Sequence, residues 1–452
     1  MTVSAPPAAG ETPRLPATAR RDRALTEPVV LFLVILALMT IGILMVYSAS
    51  RKAYAAGDTW YFTKHLMFVP IALGAMVLAS WMPYGRLNRR WIALSVFGAT
   101  VAILAAVLVF GIERGGARRW FEIPLGSLRV SLQPSEFAKL GLVLFLAWFF
   151  GQPRGDPDHT ASRWRLLGWF KRRLLADPRS LLKGFLPAMM AIGLVCVFIV
   201  KEDFGTAALV GLVATALCLI AGWRWWFPLL VAVPGALGFY FTVVQVPYRM
   251  ERLKVWLDPW QYIDGAGWHI CQSLMGIGSG GVAGTGLGAG TQKLYIPENT
   301  TDFIFAVICE EMGVLGGLFV LGLFAVFVWR AGRVVRSAPD RFGFLLASGI
   351  LLVIGLQACL NMGVVTGALP AKGISLPFIS YGGSGLVMMS FAAGLLISVA
   401  RASAAARSSQ PLVYVPPVRQ DAAVRVQTAP AAAPQGETAR PDIKEAEPDG
   451  DA

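Results

Sequence analysis

The sequence predicts an all-α integral membrane protein with about ten transmembrane helices. Of its 452 residues, 56% are hydrophobic and only 15% are charged, whereas about a quarter of the residues in soluble domains are charged. The hydrophobic residues fall in blocks close to the length of about 20 residues that a helix needs to cross a bilayer. Cationic residues recur in alternate loops between these blocks, and this pattern fixes an orientation.

Ten apolar blocks follow one another along the chain, and each is predicted to form a transmembrane helix. The first block is too long for the core of a signal peptide, so it is interpreted as a retained signal anchor. No internal repeat is apparent, which disfavours transporters built from inverted repeats. The blocks are 29–48, 64–82, 91–111, 134–150, 184–200, 205–222, 225–245, 303–328, 343–365 and 383–400.

Arginine and lysine residues indicate that both ends of the chain are cytoplasmic. They cluster before the first block and in the loops that follow the second, fourth and eighth blocks, and ten spans place all of these on one side. The positive-inside rule makes that side the cytoplasm. The opposite face then carries the longest loop, 246–301, between the seventh and eighth spans. Its aromatic residues favour the membrane–water interface, so this loop is predicted to lie on or dip into the outer leaflet.

Two terminal segments differ in composition from the predicted membrane domain, which covers 28–401. Residues 1–27 are rich in alanine and proline and end in a basic cluster, and residues 402–452 combine alanine, proline and charged residues. Segments of this kind contain too few apolar residues to bury a core. Both are therefore predicted to be disordered cytoplasmic segments.

Composition argues against several classes of site. No pair of the five cysteines has CxxC spacing, and the three histidines share no metal-ligand spacing, so neither a disulfide framework nor a metal site is predicted. The formal charge of +13 is attributed to cytoplasmic loops rather than to nucleic acid binding. The glycine-rich run Gly276–Gly290 lacks the preceding strand of a dinucleotide-binding loop, so irregular or re-entrant backbone is predicted there.

Asp302 is the leading candidate for a catalytic group, because it stands where the eighth block begins and charge near a bilayer marks function. It could cap the helix, or act as a partly desolvated general base with a raised pKa. Asp203 begins the sixth block and has the same two interpretations, with the cap favoured. Glu310 and Glu311 cannot both share the face of Asp302, and we expect them to contact arginines or backbone groups inside the bundle.

Basic residues accompany Asp302 on the predicted outer face. Arginine grips phosphate through two hydrogen bonds and lysine acts as a point charge, so these side chains could form an anion site or only a solvated rim. The candidates are Arg118, Arg119, Arg249, Arg252, Lys254, Lys293 and Lys372. The residues alone thus indicate an outward-facing cavity that either binds an anionic lipid or moves one.

Eight motifs together resemble the SEDS family, named for shape, elongation, division and sporulation. The last motif is more similar to the FtsW and SpoVE branch than to RodA. Thr300 stands where the family often has histidine, so an imidazole cannot be required there. In family order, the motifs are VYSAS, ARRWFEI, QPSEFAKL, DFGTA, YRMERLKVWLDP, QSLMGIGSGGVAGTGLG, PENTTDFIFAVICEEMG and LPAKGISLPFISYGGSG.

The resemblance implies a ten-helix peptidoglycan glycosyltransferase that polymerises lipid II on the outer face of the bacterial inner membrane, for septal wall synthesis. The family's essential acidic residue falls on Asp302. Cations would stabilise the pyrophosphate leaving group. The predicted substrate-binding residues are Arg249, Arg252, Lys293, Lys372, Arg118, Arg119, Glu298 and Ser380.

The resemblance also implies partners. These are lipid II, the nascent glycan strand, a class B penicillin-binding protein of the FtsI type, other divisome membrane proteins and membrane lipid. No sequence signature demands a cofactor, although a divalent cation could share the charge of the pyrophosphate. The alternatives are a lipid II flippase, a scaffold for the division machinery, and an elongation or sporulation paralogue of the same enzyme. A flippase would carry charges along a path through the bilayer, whereas here they gather near the outer face.

Overall fold

The computed structural model describes residues 17–50, 60–114, 117–125, 128–152, 184–201, 203–224 and 226–409. Within these ranges the chain forms a helical bundle with one small sheet. Its helices are α1 (Ala17–Ala49), α2 (Trp60–Trp81), α3 (Arg90–Phe110), α4 (Pro134–Gly151), α5 (Leu186–Val200), α6 (Phe204–Ile220), α7 (Phe227–Phe239), α8 (Pro247–Leu257), α9 (Trp268–Gly280), α10 (Ile304–Ser337), α11 (Arg341–Val365) and α12 (Gly383–Ser409).

Each of the ten predicted spans falls on a helix. In the described ranges, seven helices are long and apolar enough to cross a membrane, namely α1 to α4 and α10 to α12. Helices α5, α6 and α7 are equally apolar but shorter, with 15, 17 and 13 residues. One π-helical turn, Tyr240–Val244, extends α7 towards the predicted end of its span. The all-α membrane class is confirmed, and ten crossings remain a prediction.

The bundle buries one continuous apolar core. Helix α2 packs against α12, α3 against α4, and α11 against both α4 and α10. Leu38, Met76 and Leu396 are at most 1% exposed in this core. Apolar side chains also point outwards, as shown by Leu78 and Leu318 with exposed fractions of 67% and 56%. Large apolar outer surfaces mark contact with a membrane or a partner.

Two predicted boundaries are wrong by a few residues. Helix α1 begins at Ala17, inside the segment 1–27 that was predicted to be disordered. Helix α12 likewise continues to Ser409, past the predicted start of the tail at 402. Alanine is common in both stretches and is the best helix former, so each membrane helix extends beyond its apolar block. The remaining parts of these predictions, 1–16 and 410–452, lie outside the described residues.

The loop between α3 and α4 forms an antiparallel sheet that the all-α prediction missed. Its strands are β1 (Ile112–Arg114), β2 (Ala117–Leu125) and β3 (Leu128–Leu132), with β2 in the middle. Phe121 pairs with Leu132, and Glu122 pairs with Ser131. The sheet is small, but strand β2 carries two of the predicted cations, Arg118 and Arg119. Strand β3 then leads into α4.

Helix α10 is broken at Gly313, where the backbone takes the left-handed values φ 67° and ψ −168°. The glycine-rich loop 281–290 lies alongside the break. Its Thr285 and Gly286 amides donate to the carbonyls of Glu310 and Glu311 at 3.0 Å, and the Val314 amide donates back to Gly281 at 2.9 Å. Irregular backbone is tolerated at membrane depth only where the protein supplies such partners. The predicted irregular backbone is confirmed for 281–290, whereas Gly276–Gly280 continue α9.

A side chain at position 313 would also collide with the loop. A β-carbon there would overlap the carbonyl of Val282 and the amide of Gly284. Glycine is therefore required both for the positive φ angle and for the close approach of the two backbones.

Candidate active site

Asp302 lies in the turn that leads into α10, and it does not cap that helix. The capping position is Phe303, which makes no side-chain hydrogen bond to the helix. The interpretation of Asp302 as an N-cap is therefore wrong, because the helix starts one residue later than that role needs. Within the described residues, the only side-chain hydrogen bond to Asp302 goes to its main-chain carbonyl, from Asn361 Nδ2 at 2.7 Å. No described residue uses the carboxylate as a hydrogen-bond acceptor.

The surroundings of Asp302 raise its pKa to about 7. Burial is the largest cause, because a desolvated carboxylate is less stable in its charged form. The nearby carboxylates of Glu298 and Asp203 raise the pKa further, and the guanidinium groups of Arg119 and Arg252 oppose them. A pKa near the working pH is suited to a general base, since the group is both available and basic enough to take a proton.

Two buried side chains clamp the turn that carries Asp302 to the segment before α12. Asn361 Nδ2 donates to the carbonyls of both Asp302 and Ile374, at 2.7 and 2.6 Å. Ser380 Oγ donates to the carbonyl of Thr301 at 2.6 Å and accepts from the Leu376 amide at 2.7 Å. Ser380 is only 4% exposed, so it supports the backbone of the site, and its predicted role in substrate binding is withdrawn.

Asn361 was missed by the sequence analysis, although a signal was present. It stands inside the predicted span 343–365 and is 1% exposed. A polar residue within a membrane span is costly and marks function, and the same rule that selected Asp302 would have selected it.

Asp203 caps α6, as its position predicted. Its carboxylate accepts from the Thr206 amide at 3.0 Å and from the Thr206 hydroxyl at 2.7 Å. The negative charge of Asp203 also attracts two cationic side chains, Arg119 and Lys372. Arg119 Nη1 of strand β2 lies 3.9 Å from Asp203 Oδ2, and Lys372 Nζ lies 5.1 Å from the centre of the Phe204 ring.

Lys372 enters the site on the segment that passes in front of Asp302. Burial lowers its pKa, and the charge of Asp203 opposes this change. The next residue is Gly373, where a β-carbon would stand 3.0 Å from Asp302 Oδ2. Glycine thus lets the backbone approach the carboxylate closely, and it brings Lys372 to the same small volume as Arg119 and Asp203.

The other predicted cations lie around this centre at different depths. Arg252 of α8 is close enough to Asp302 to lower its pKa. The pKa of His269 is lowered first by burial and then by the charge of Arg252. Arg249 Nη2 reaches the carbonyls of Lys201 and Val200 at 3.4 and 3.5 Å, and so ties α8 to the end of α5. Arg118 Nε lies 3.7 Å from the Glu113 carboxylate, at the exposed side of the sheet.

Glu298 is exposed and lies in the same turn as Asp302. Its backbone has a φ of 55°, a left-handed conformation that is uncommon for residues other than glycine. Thr301 Oγ1 donates to Glu298 Oε2 at 2.8 Å, which holds this second carboxylate near the first. Its proximity keeps Glu298 in the site as a neighbour that tunes Asp302.

Lys293 was predicted to bind pyrophosphate, but the structure places it in the interior. Its side chain is 2% exposed, and Nζ lies 2.5 Å from Glu311 Oε1. The same nitrogen donates to Ser48 Oγ at 2.9 Å and to the Gly288 carbonyl at 3.0 Å. All three donors of this ammonium therefore have acceptors, so Lys293 has a structural role and is withdrawn from the substrate-binding set.

Glu310 and Glu311 are buried and fully engaged, as expected. Glu310 accepts from the amides of Gln292 and Lys293 at 2.7 and 3.2 Å, which confirms contact with backbone groups. Glu311 pairs with Lys293 rather than with an arginine, and it accepts from the Gly288 amide at 3.0 Å. These two residues fix the glycine-rich loop to α10 and are not part of the outer cluster.

The described part of the chain contains no cluster of side chains that would bind a metal ion. There, no group of three or more histidine, cysteine, aspartate or glutamate side chains is arranged to hold a metal ion.

Comparison with known proteins places the whole membrane domain in one family. Residues 28–405 match the model of the family FtsW/RodA/SpoVE, described as cell cycle protein. Stage V sporulation protein E of Bacillus subtilis is 36% identical over 384 residues, which cover 84% of this chain and 98% of that protein. The protein named "Probable peptidoglycan glycosyltransferase FtsW" of Trichlorobacter lovleyi is 38% identical over 380 residues, which cover 82% of this chain and 92% of that protein.

Solved structures show the same fold. One match is a chain from a structure of a peptidoglycan synthase complex that coordinates polymerization and crosslinking. It has a TM-score of 0.64 and 26% identity, over 82% of this chain and 97% of that chain. The rod shape determining protein RodA of Thermus thermophilus matches with a TM-score of 0.54 and 25% identity, over 82% of this chain and 94% of that chain. The predicted resemblance is confirmed, and the chain belongs to the FtsW/RodA/SpoVE family of cell cycle proteins.

Proposed function

We propose that this protein is a peptidoglycan glycosyltransferase that polymerises lipid II on the outer face of the bacterial inner membrane. The observation that carries this proposal is the Asp302 carboxylate, with a pKa of about 7 and with Arg119 and Arg252 beside it. A base of this kind next to cations suits a reaction in which a hydroxyl attacks and a pyrophosphate leaves. The names of the relatives described above support the same activity.

In the proposed reaction, Asp302 takes the proton from the 4-hydroxyl of one lipid-linked disaccharide. The hydroxyl oxygen then forms a bond to C1 of the sugar at the lipid end of the growing strand. The bond from C1 to the pyrophosphate oxygen breaks, and undecaprenyl pyrophosphate leaves with the electron pair and with inversion at C1. Inverting glycosidases protonate their leaving group with a second carboxyl group, but pyrophosphate leaves as an anion that cations can stabilise.

Three of the predicted cations remain suited to that task after the corrections above. Arg119 is held near Asp203, Lys372 stands on the segment that passes Asp302, and Arg252 acts on Asp302 from α8. Arg249 bonds to the Lys201 carbonyl and Arg118 pairs with Glu113, so they are assigned to the support of α8 and the sheet.

The interior charges disfavour a lipid II flippase. A flippase needs polar groups along a path through the bilayer, but Glu310, Glu311 and Lys293 are tied to one another and to the loop. Lys139, a further interior charge, pairs with Glu136 at 2.8 Å and donates to Gln357 at 2.6 Å. The charged atoms of Lys293, Glu310 and Glu311 already have partners, so these residues offer a passing headgroup little.

We also propose a cellular location and a protein partner for this enzyme. Relatives named FtsW and a fold shared with a chain of a peptidoglycan synthase complex favour work at the division septum beside a class B penicillin-binding protein. Elongation or sporulation remain alternatives for the same chemistry, because stage V sporulation protein E is also a relative.

The test is lipid II polymerisation by the complex with its cognate class B transpeptidase. We expect glycan strands from the wild type and from Asp264→Asn, an exposed carboxylate in the same predicted outer loop that serves as the matched control. Asp302→Asn keeps the shape of the side chain but cannot accept a proton, so strands should be lost. Normal strands from Asp302→Asn would refute the mechanism. Strands from none of the proteins, with the complex intact, would refute the enzyme and favour lipid II translocation.

A further inference from the structure

Three aromatic side chains lie together beside the segment that is bonded to the turn carrying Asp302, and the proposed reaction does not use them. Trp60 and Tyr61 begin α2 and are 42% and 39% exposed. Tyr381, which precedes α12, lies with its ring centre 5.3 Å from that of Tyr61 and 6.4 Å from that of Trp60. We call these three residues the aromatic platform.

The aromatic platform is fixed to the catalytic turn by a backbone hydrogen bond. The Tyr381 amide donates to the carbonyl of Thr300 at 2.8 Å, two residues before Asp302. The neighbouring residue, Ser380, bonds to the carbonyl of Thr301. A ligand that rests on these rings is therefore held in a constant relation to the Asp302 turn.

Polar groups surround the rings in a way that suits a ligand with both apolar and polar faces. Lys64 Nζ lies 3.9 Å from the centre of the Trp60 ring. The His65 ring lies 6.2 Å from that of Tyr381, is 1% exposed, and has no hydrogen-bond partner for either nitrogen among the described residues. A buried polar group without a partner is costly. Such a group is expected where a ligand or a bound water completes the site.

Aromatic residues also occur as interfacial anchors, where tryptophan and tyrosine sit at the membrane surface. Tyr240 and Phe241, at the predicted outer end of the seventh span, are 48% and 63% exposed, and their ring centres lie 5.4 Å apart. They have the pairing and exposure of Trp60 and Tyr61 but no described bond to the Asp302 turn. The bond from Tyr381 to that turn is what separates the aromatic platform from an anchor.

We infer that the aromatic platform is a saccharide subsite, which binds pyranose rings of the substrate through their apolar C–H faces. This inference rests on the proposed function and adds the place where the glycan is held. Rigid aromatic rings provide large apolar contact, and nearby polar groups fix the orientation of the ligand. Sugar hydroxyls at the ring edge then meet polar groups such as the hydroxyl of Tyr61, which is 39% exposed.

The binding test uses a probe that needs no turnover. The full-length complex, carrying Asp302→Asn, is titrated with a lipid-free tetrasaccharide of alternating N-acetylglucosamine and N-acetylmuramic acid. Trp60→Ala and Tyr61→Ala should each weaken binding by about 3- to 10-fold, the strength of one aromatic contact. Trp60→Phe should retain most of the affinity, and Tyr240→Ala and Phe241→Ala serve as matched controls that should retain all of it.

Two outcomes would overturn the subsite. One is that the Trp60→Ala and Tyr61→Ala variants bind no more weakly than the Asp302→Asn complex, whether that complex binds the probe or not. The other is an equal loss in the Tyr240→Ala and Phe241→Ala controls, which would indicate membrane anchoring. Because the probe binds without reaction, these outcomes are separate from a failure of polymerisation.

A second measurement on catalytically intact variants distinguishes the two sources of saccharide. If the aromatic platform holds incoming lipid II, Trp60→Ala should slow formation of the first tetrasaccharide. If it holds the nascent strand, that first step should be unchanged and the strands should be shorter. Unchanged rates and unchanged strand lengths would overturn the subsite as part of the reaction.

Discussion

The two charged regions of this protein differ in how completely their charges are satisfied. In the interior, Lys293 and Glu311 are 2% and 0% exposed, lie 2.5 Å apart, and have further partners in Ser48 and Gly288. At the predicted outer face, Asp302 has other carboxylates as neighbours, and no described residue donates a hydrogen bond to its carboxylate. Charge within a membrane protein therefore does not by itself mark catalysis. A charge whose bonding capacity is left open is the better sign.

Loss of activity without loss of stability should distinguish the outer region from the interior most strongly. Asp302→Asn should lower kcat by about 10²- to 10⁴-fold, the usual contribution of a general base, and leave the thermal unfolding temperature unchanged because no described hydrogen bond to the carboxylate is lost. Single-turnover polymerisation and thermal unfolding of the same preparation would measure both. A large drop in unfolding temperature would assign Asp302 to structure and remove the contrast.

The interior pair should respond in the opposite way. Lys293→Met leaves Glu311 buried without its cation, and breaking a buried pair destabilises proteins by about 3–5 kcal/mol. Unfolding measured in detergent should show this loss. The double variant Lys293→Met/Glu311→Met removes both charges and should recover much of the stability. A stable single variant would show that the interior charges are not coupled.

Asn361 connects the two kinds of region, since it is buried but acts on the catalytic turn. Asn361→Ala removes the hydrogen bonds to the carbonyls of Asp302 and Ile374, and each lost bond of this kind is worth about 1 kcal/mol. We expect kcat to fall by roughly 10-fold and the pH–rate profile to shift as Asp302 becomes more hydrated. A loss of stability with an unchanged pH profile would mean a purely structural role.

The smallest effects should appear in the pH dependence. A base with a pKa of about 7 must be deprotonated to act, so kcat/KM should rise with pH through this value and level off above it. Arg252→Gln removes a cation that lowers the pKa of Asp302 and should move the rise to higher pH. Glu298→Gln removes a carboxylate that raises this pKa and should move it to lower pH. Shifts in the same direction for both variants would contradict the electrostatic account.

The fold was predictable to the extent that its determinants are local. A run of apolar residues of membrane-spanning length reports a helix without knowledge of its neighbours, and every predicted span fell on one. The sheet at 112–132 was missed because its strands are short and mix charged with apolar residues, so they form no long apolar run. Strand β2 gave no clear alternating pattern either, because Arg118 and Arg119 are adjacent and are followed by two aromatic residues.

The site was predictable only in part, because satisfaction of a charge depends on partners far away in sequence. Asp302 was found from its position at the start of a span. Lys293 looked equally accessible, but its acceptors include Ser48, 245 residues earlier. Ser380 was placed on the substrate side, yet its hydroxyl is used by Thr301, 79 residues away. The residue type could be read from the sequence in each case, whereas the fold decides which side chains remain available to bind substrate.

The break at Gly313 has a mechanical consequence for the enzyme. Helices that cross a membrane without interruption tilt when the bilayer becomes thicker or thinner. In α10, the glycine-rich loop bonds to both sides of the break, to Glu310 and Glu311 before it and to Val314 and Leu315 after it, and Asn361 clamps the Asp302 turn. The height of the reacting group above the hydrocarbon is therefore set by the protein, and polymerisation should proceed at similar rates in bilayers of different acyl-chain length.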